Sequence, residues 1–179
     1  MTLGTSWGYS PDALEIYKSA GHVIALIVET RAKGGNLLVN IGPMSDGTIP
    51  MMQEELLREL SLWMFVNSES IYSVRPWVIT NENDIWYTRS ANHVDILYAI
   101  VIRTTPWPDG VWQEFVLKSV NATASTNVSI LGQDDKTLEY HPMTNPKTTF
   151  RHLPDGLHIR AMHTQRLHDS RKWYVVLIG

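Results

Sequence analysis

The residues able to do chemistry are few and scattered, so spacing decides what each is worth. In Gly4-Thr5-Ser6-Trp7-Gly8-Tyr9 two aromatic rings sit among small residues. A ring so placed can stack on the apolar face of a sugar, although core packing is the commoner fate of an aromatic side chain. Asn40 stands near the end of the apolar run Leu37-Leu38-Val39, just before Ile41-Gly42-Pro43, where its amide suits either a ligand or the loop beside it. Asp46 is the one carboxylate on the loop that follows, but Asp46-Gly47 is common turn chemistry and is read as structural. His158, His163 and His168 recur every five residues. On a strand that step sends successive rings to opposite faces, which spoils a shared metal site, so they are read as surface histidines. Gly34-Gly35 lacks the spacing of a phosphate loop and follows a helical pattern rather than preceding one. Glu29, Glu54, Glu55, Glu59 and Glu69 lie on or beside helical patterns, where carboxylates make a solvated face. No Ser-His-Asp set can be picked out, and nothing in the pattern calls for a metal or a cofactor.

The elements that must position these residues change character near Pro76. Ser19 is a plausible N-cap, and Ala20, Val23, Ile24, Ile27 and Val28 recur at three- and four-residue steps, which predicts an amphipathic helix to about Ala32. Gly34 or Gly35 closes it, since a residue without Cβ enters the left-handed region freely. Asn36 to Ile41, apolar on both faces, reads as a parallel strand covered on either side. Gly42-Pro43 ends it, and a second amphipathic helix follows through Leu56, Leu57, Leu60, Trp63 and Met64. Together with the opening residues, read as the tail of a strand, the order is strand, helix, strand, helix. After Pro76 the period drops to two, and strands are predicted over 84–90, 95–103, 111–120, 126–132, 156–162 and 172–179. Turn signals separate them, among them Pro106-Trp107-Pro108-Asp109-Gly110 and Pro154-Asp155-Gly156. The fold class is therefore α/β plus all-β, with residues 78–179 forming an antiparallel β-sandwich.

Composition narrows the partners. The chain has 179 residues, 44% of them hydrophobic, enough for a real core. A net charge of −3, from 15 basic and 18 acidic residues mixed along the chain, gives no footprint for nucleic acid or an anionic membrane. No run approaches the roughly 20 apolar residues of a spanning helix, and the first residues do not read as a signal peptide. With no cysteine, disulfides and thiolate sites are excluded within this chain, while the compartment stays open. Asn121-Ala122-Thr123 and Asn127-Val128-Ser129 are glycosylation sequons, used only if this stretch enters a secretory pathway.

In order along the chain, SWGY (6–9), AKGGNLLVNIGP (32–43), DGTI (46–49), NSESIY (67–72) and RPW (75–77) resemble the α-L-fucosidases of glycoside hydrolase family 29, and IWYT (85–88) and LYAI (97–100) continue the resemblance. Ser68 and Ser61 depart from it, standing where the family usually has glycine. The resemblance implies a partial (β/α) barrel over residues 1–77, followed by a C-terminal β-sandwich over 78–179. It also implies retaining hydrolysis of α-linked fucose from a glycan by two carboxylates, without a cofactor. Both carboxylates are expected ahead of Met1, so the chain alone is expected to be inactive: a fragment, a truncated gene model or the product of an internal start. Trp7 is the best candidate for the sugar pocket, against the fucose C5 methyl group, with Tyr9 and Asn40 as neighbouring wall. A full-length relative is expected to be lysosomal or secreted, and a homo-oligomer is among its expected partners. Exposed strand edges and the apolar faces of Val39 and Ile41 are expected to make the piece aggregate or need a partner. The alternative is a non-catalytic sugar-binding or assembly β-domain, with Trp107 and Trp112 as its candidate aromatics, although packing suits both.

Overall fold

The computed structural model describes residues 1–11, 15–102, 107–108, 110–132, 147–162 and 173–179, the side chains of 173 and 174 excepted. Pro106, Asp109, His163 and His168, named above, and positions 103 and 172 at the ends of two predicted strands lie outside the described residues.

Helix α1 spans Ala20–Ala32. Ser19 caps it in extended conformation, its hydroxyl accepting from the His22 N–H at 3.2 Å. Val23, Ile24, Val28 and Ala32 are buried along the predicted stripe. At the other end Gly34 takes φ +83°, and the amides of Gly34 and Gly35 donate to Arg31 O and Thr30 O at 3.0 and 2.8 Å. This paired closure satisfies carbonyls that the helix leaves orphaned. A Cβ on Gly34 would also come 2.9 Å from the Pro76 ring, so its absence serves packing as well as backbone geometry. Arg31 ties the junction: its guanidinium donates to Ile71 O, Gly35 O, Asn36 Oδ1 and Val74 O at 2.8–3.3 Å.

Helix α2, Met51–Asn67, follows Pro50 and runs into a short 3₁₀ turn over Ser68–Ser70. Ser68 has φ −57°, a right-handed conformation that costs a side chain nothing, so its departure from glycine brings no backbone strain. Ser61 turns its hydroxyl back onto Arg58 O at 2.8 Å.

The predicted strand Asn36–Ile41 is not a regular strand. It makes a single parallel bridge, Thr2 with Asn40, held by Asn40 N–H to Met1 O at 2.9 Å and Leu3 N–H to Asn40 O at 3.1 Å. Parallel strands sit in sheets covered on both faces, and among the described residues only 1–3 pair with this one. Its burial is one-sided too. Val39 and Ile41 pack on a small cluster of Leu3, Val23 and Leu56, contrary to the exposure expected of them, while Leu38 is 74% exposed.

The remainder forms two antiparallel sheets. Strands β1 (Val74–Glu82), β2 (Ile85–Ser90), β3 (Leu97–Ile102), β4 (Trp112–Leu117), β5 (Val128–Ile130), β6 (Thr149–Leu153), β7 (Gly156–Met162) and β8 (Trp173–Ile178) follow in chain order. One sheet runs β1-β2-β3-β8-β5 and the other β4-β7-β6. The six predicted strands are all present within a few residues; β1 and β6 are additional. Pro76 obscured β1, which tolerates it as an edge strand, and β6 is largely exposed and has no apolar alternation to read.

Layering follows from burial. Phe115, Leu117, Leu157 and Ile159 of the three-stranded sheet meet Tyr87, Ala99, Val101 and Val176 of the five-stranded sheet in one core. On that sheet's other side Tyr98, Ile100 and Val175 pack against Ile24 and Val28 of α1 and Trp63 of α2. The helices, the large sheet and the small sheet therefore stack in that order, with the outer face of β4-β7-β6 farthest from the helices. The Tyr87 hydroxyl donates to the Glu82 carboxylate, whose other oxygen accepts from Ser119 Oγ at 2.9 Å. Burial, and then Glu82, push the Tyr87 phenol far above its ordinary value, so it stays a donor at any working pH.

Candidate functional site

Trp7, Tyr9 and Asn40 come together beside the Thr2–Asn40 bridge. The Asn40 side-chain amide donates to Trp7 O at 2.7 Å and lies 3.5 Å from Thr2 Oγ1, while the Thr2 hydroxyl donates to Ser6 O at 2.8 Å. The loop bearing the aromatics is held from its other side as well. Glu15 Oε1 accepts from the Thr5 N–H at 3.1 Å, and Lys18 Nζ donates to Gly4 O at 3.0 Å. Gly42 sits so near this loop that a Cβ there would come 2.6 Å from the Gly8 carbonyl carbon. The Gly42 N–H donates to Gln53 Oε1 at 3.0 Å, and Gln53 is a buried polar side chain on α2. Such a group stays buried only when its bonding is met, and here it fixes the segment after Asn40 to the helix.

This scaffold presents Trp7 73% exposed and Tyr9 43% exposed, so neither ring is core. Asn40 uses its amide N–H to hold the aromatic loop. Gln53, Glu15 and the Gly8–Gly42 contact were missed from sequence. Gln53 left one signal, a polar residue on the apolar side of the second helical pattern. Asp46 stays apart at its own turn, its Oδ1 accepting from the Thr48 N–H and hydroxyl at 3.0 and 2.7 Å. Those bonds hold its carboxyl below the ordinary value, the backbone N–H contributing most. Its reading as structural stands.

The aromatics considered for the β-region separate. Trp107 is fully buried, edge-on to Phe115 at 5.3 Å between ring centroids, with its indole N–H donating to Val111 O. It packs. Trp112 is half-buried beneath the Arg160 guanidinium, 4.8 Å from the ring centroid. His158 corrects a sequence reading: its side chain is only 13% exposed, and Glu114 and Asp155 bracket its two ring nitrogens at 2.6 and 2.9 Å. It is an embedded ion-pair centre rather than a solvated surface histidine.

A sequence profile described as Alpha-L-fucosidase matches residues 1–69. The plasma α-L-fucosidase of Rattus norvegicus is 37% identical over 131 residues, which take in 71% of this chain. The tissue α-L-fucosidase of the same species is 35% identical over 161 residues, 84% of this chain. The chain belongs to the α-L-fucosidase family. It spans 28% and 32% of the lengths of those two relatives. Among solved structures, the Thermotoga maritima α-L-fucosynthase in complex with α-L-Fuc-(1-2)-β-L-Fuc-N3 superposes with a TM-score of 0.70 at 26% identity. That match covers all of this fucosidase-family chain and 38% of the other. Among the described residues no helix is long and apolar enough to cross a membrane.

Proposed function

We propose that this chain is the part of a retaining α-L-fucosidase that closes one wall of the fucose pocket, residues 1–77 completing a (β/α) barrel and residues 78–179 forming its C-terminal β-sandwich. The observation that carries the reading is the hydrogen bond from Asn40 to the Trp7 carbonyl, which anchors the loop bearing an exposed indole at the end of the segment that would be a barrel strand. Barrel enzymes place their chemistry at that position, where strands run into loops. Trp7 then stacks on the apolar side of the sugar, and Tyr9 and Asn40 line the wall beside it.

Retaining hydrolysis needs one carboxylate to attack the anomeric carbon and a second to protonate the leaving oxygen and then activate water. Neither role is assigned to a residue of this chain, which alone is inactive in this reading. The exposed Leu38, Met51, Met52 and Phe65 support it, because further barrel elements would cover such a surface. The two relatives named for plasma and tissue favour a secreted or lysosomal setting for the whole enzyme, acting on fucosylated glycans. The boundary drawn between 77 and 78 falls inside β1, so the two parts share a strand.

The test combines turnover with binding. Incubated with an aryl α-L-fucoside, the purified chain releases no aglycone; in saturation-transfer NMR it gives a weak fucose signal that Trp7→Ala abolishes. Release of the aglycone overturns the inactive reading, and a fucose signal that is absent, or that survives Trp7→Ala, overturns the pocket wall.

A further inference from the structure

The outer face of β4-β7-β6 carries a concave site of about 360 Å³ lined by Glu114, Thr149, Phe150, Arg151, His158 and Arg160. Register places them as neighbours: Glu114, Arg160 and Thr149 are paired across the three strands in one row, and Val116, His158 and Arg151 in the next. Their inward counterparts, such as Phe115 and Ile159, belong to the shared core, so among the described residues this face is turned away from that core. It also lies on the opposite side of the stack from the helices and the Trp7 wall.

We propose that this face is a second saccharide site, one that takes an acidic sugar: a ring bearing a carboxylate or a sulfate. Three features select that ligand. The first is unspent donors. The Arg160 guanidinium lies over the Trp112 ring, a contact that uses none of its N–H groups, and it makes no ion pair among the described residues. Arg151 commits only Nη2, to Glu114 at 3.2 Å, and the Thr149 hydroxyl is unbonded among the described residues. A planar fork of N–H donors matches a carboxylate or sulfate with two parallel bonds.

The second is the acceptor side, which a simple anion site lacks. Glu114 concentrates its contacts with His158 and Arg151 on Oε1, which leaves Oε2 to accept from a ring hydroxyl. Phe150, 36% exposed, adds an apolar surface at the edge. Donors, an acceptor and a ring in one concavity of this size suit a mono- or disaccharide.

The third is the charge balance. Two carboxylates face His158 on its two ring nitrogens, and each can accept a bond only if both nitrogens carry hydrogen, so the arrangement holds an imidazolium. Arg151, Arg160 and His158 thus oppose Glu114 and Asp155, with Lys118 beside Asp155 adding positive potential. The hydrogen bonds from Glu114 and then Asp155 raise the His158 pKa above its ordinary value, which favours the charged ring in this arrangement. Above that raised value His158 becomes neutral, the carboxylates lose its compensation, and an anionic ligand is held less strongly.

The proposal stands independently of the fucose pocket and is tested with the same full chain. Probes are the methyl glycoside of a sialic acid, a methyl glucuronide and galactose 6-sulfate, against methyl galactoside and inorganic sulfate, all by ligand-observed NMR titration. At least one acidic sugar is expected to bind at millimolar concentration, with both neutral sugar and free sulfate at least about fivefold weaker; the glucuronide and sulfate arms show which anion is preferred. Arg160→Gln weakens that binding about tenfold, and raising the pH from about 6 to about 9 weakens it as well. Trp7→Ala leaves it unchanged, which separates this site from the fucose wall. Both variants are checked for an unaltered unfolding midpoint, and Arg151→Gln serves if Arg160→Gln fails that check. The proposal is overturned by equal affinity for the neutral and acidic sugars, by sulfate alone binding as well, by no binding, or by unchanged affinity in a folded arginine variant.

Discussion

At the scale of single residues, the aromatic loop depends on Gly42 lying against the Gly8 backbone, whereas a Cβ on Gly8 itself would meet nothing within 4 Å. Gly42 has no special backbone requirement in this contact; what matters is that a Cβ would come 2.6–2.7 Å from the Gly8 carbonyl group and the Tyr9 nitrogen. Backbone cannot rotate aside as a long side chain can, so Gly42→Ala must displace the loop, break the 3.0 Å bond to Gln53, or both. The expected cost is about 1–3 kcal/mol, the usual range for overpacking, read as a lower denaturation midpoint. Amide hydrogen exchange should speed up over residues 4–9 while β3 and β8 keep their protection. Unchanged exchange in the loop would mean that the Gly8–Gly42 contact does not hold it. Asn40 left two readings open in sequence, ligand or loop; coordinates were required to find Trp7 O at 2.7 Å from its amide nitrogen, because the two residues lie 33 positions apart.

At the scale of elements, the three-stranded sheet is cross-linked by a charged row whose pH response has a definite sign. His158 has a raised pKa in the folded protein, because of Glu114 first and Asp155 second. Its contribution to stability is complete below the ordinary value of 6.5 and is lost as pH rises through the higher folded value. Glu114 and Asp155 are lowered, chiefly by the bond to His158, so theirs is present above their ordinary values of 4.5 and 3.8 and is lost as pH falls through the folded ones. Both contributions coexist between 4.5 and 6.5. His158→Gln should therefore lose stability below pH 6.5, where the charged ring contributes, and converge with the parent protein at high pH, measured by urea unfolding at several pH values. A variant that is equally destabilised at every pH would show the ring to matter for packing and not charge. Most of the elements of the molecule were legible: Ser19, the stripe from Ala20 to Val28 and Gly34 mark α1, and aromatic and β-branched residues mark β2, β3 and β8. What escaped was tertiary. Pro76 argues against a strand until β1 is seen to be an edge. The run Asn36–Ile41 has strand composition, yet composition supplies no neighbours for its open edge. His158 read as a surface residue because its bond partners come from β4 and from the β6–β7 turn.

At the scale of the whole molecule, the large sheet is a shared wall rather than the surface of an independent unit. Its outward-facing Tyr98, Ile100 and Val175 are buried by Ile24, Val28 and Trp63, and Arg31 bonds both the carbonyl of Ile71 and that of Val74 at the start of β1. A chain beginning at Val74 would keep every residue of the core between the sheets but strip the cover from the opposite face. Each large apolar side chain that loses its burial forfeits about 1.5–3 kcal/mol. Such a deletion should therefore bind a hydrophobic dye strongly, self-associate in sedimentation, and unfold at lower denaturant than the full chain, while retaining a β-rich circular dichroism spectrum. Replacing Tyr98 and Ile100 by threonine in that shortened chain should restore solubility, because the strand propensity is kept while the uncovered face becomes polar. If the deletion is instead monomeric and as stable as the full chain, the helices are an appendage to the sheets. The layer order would then describe contact without mutual support.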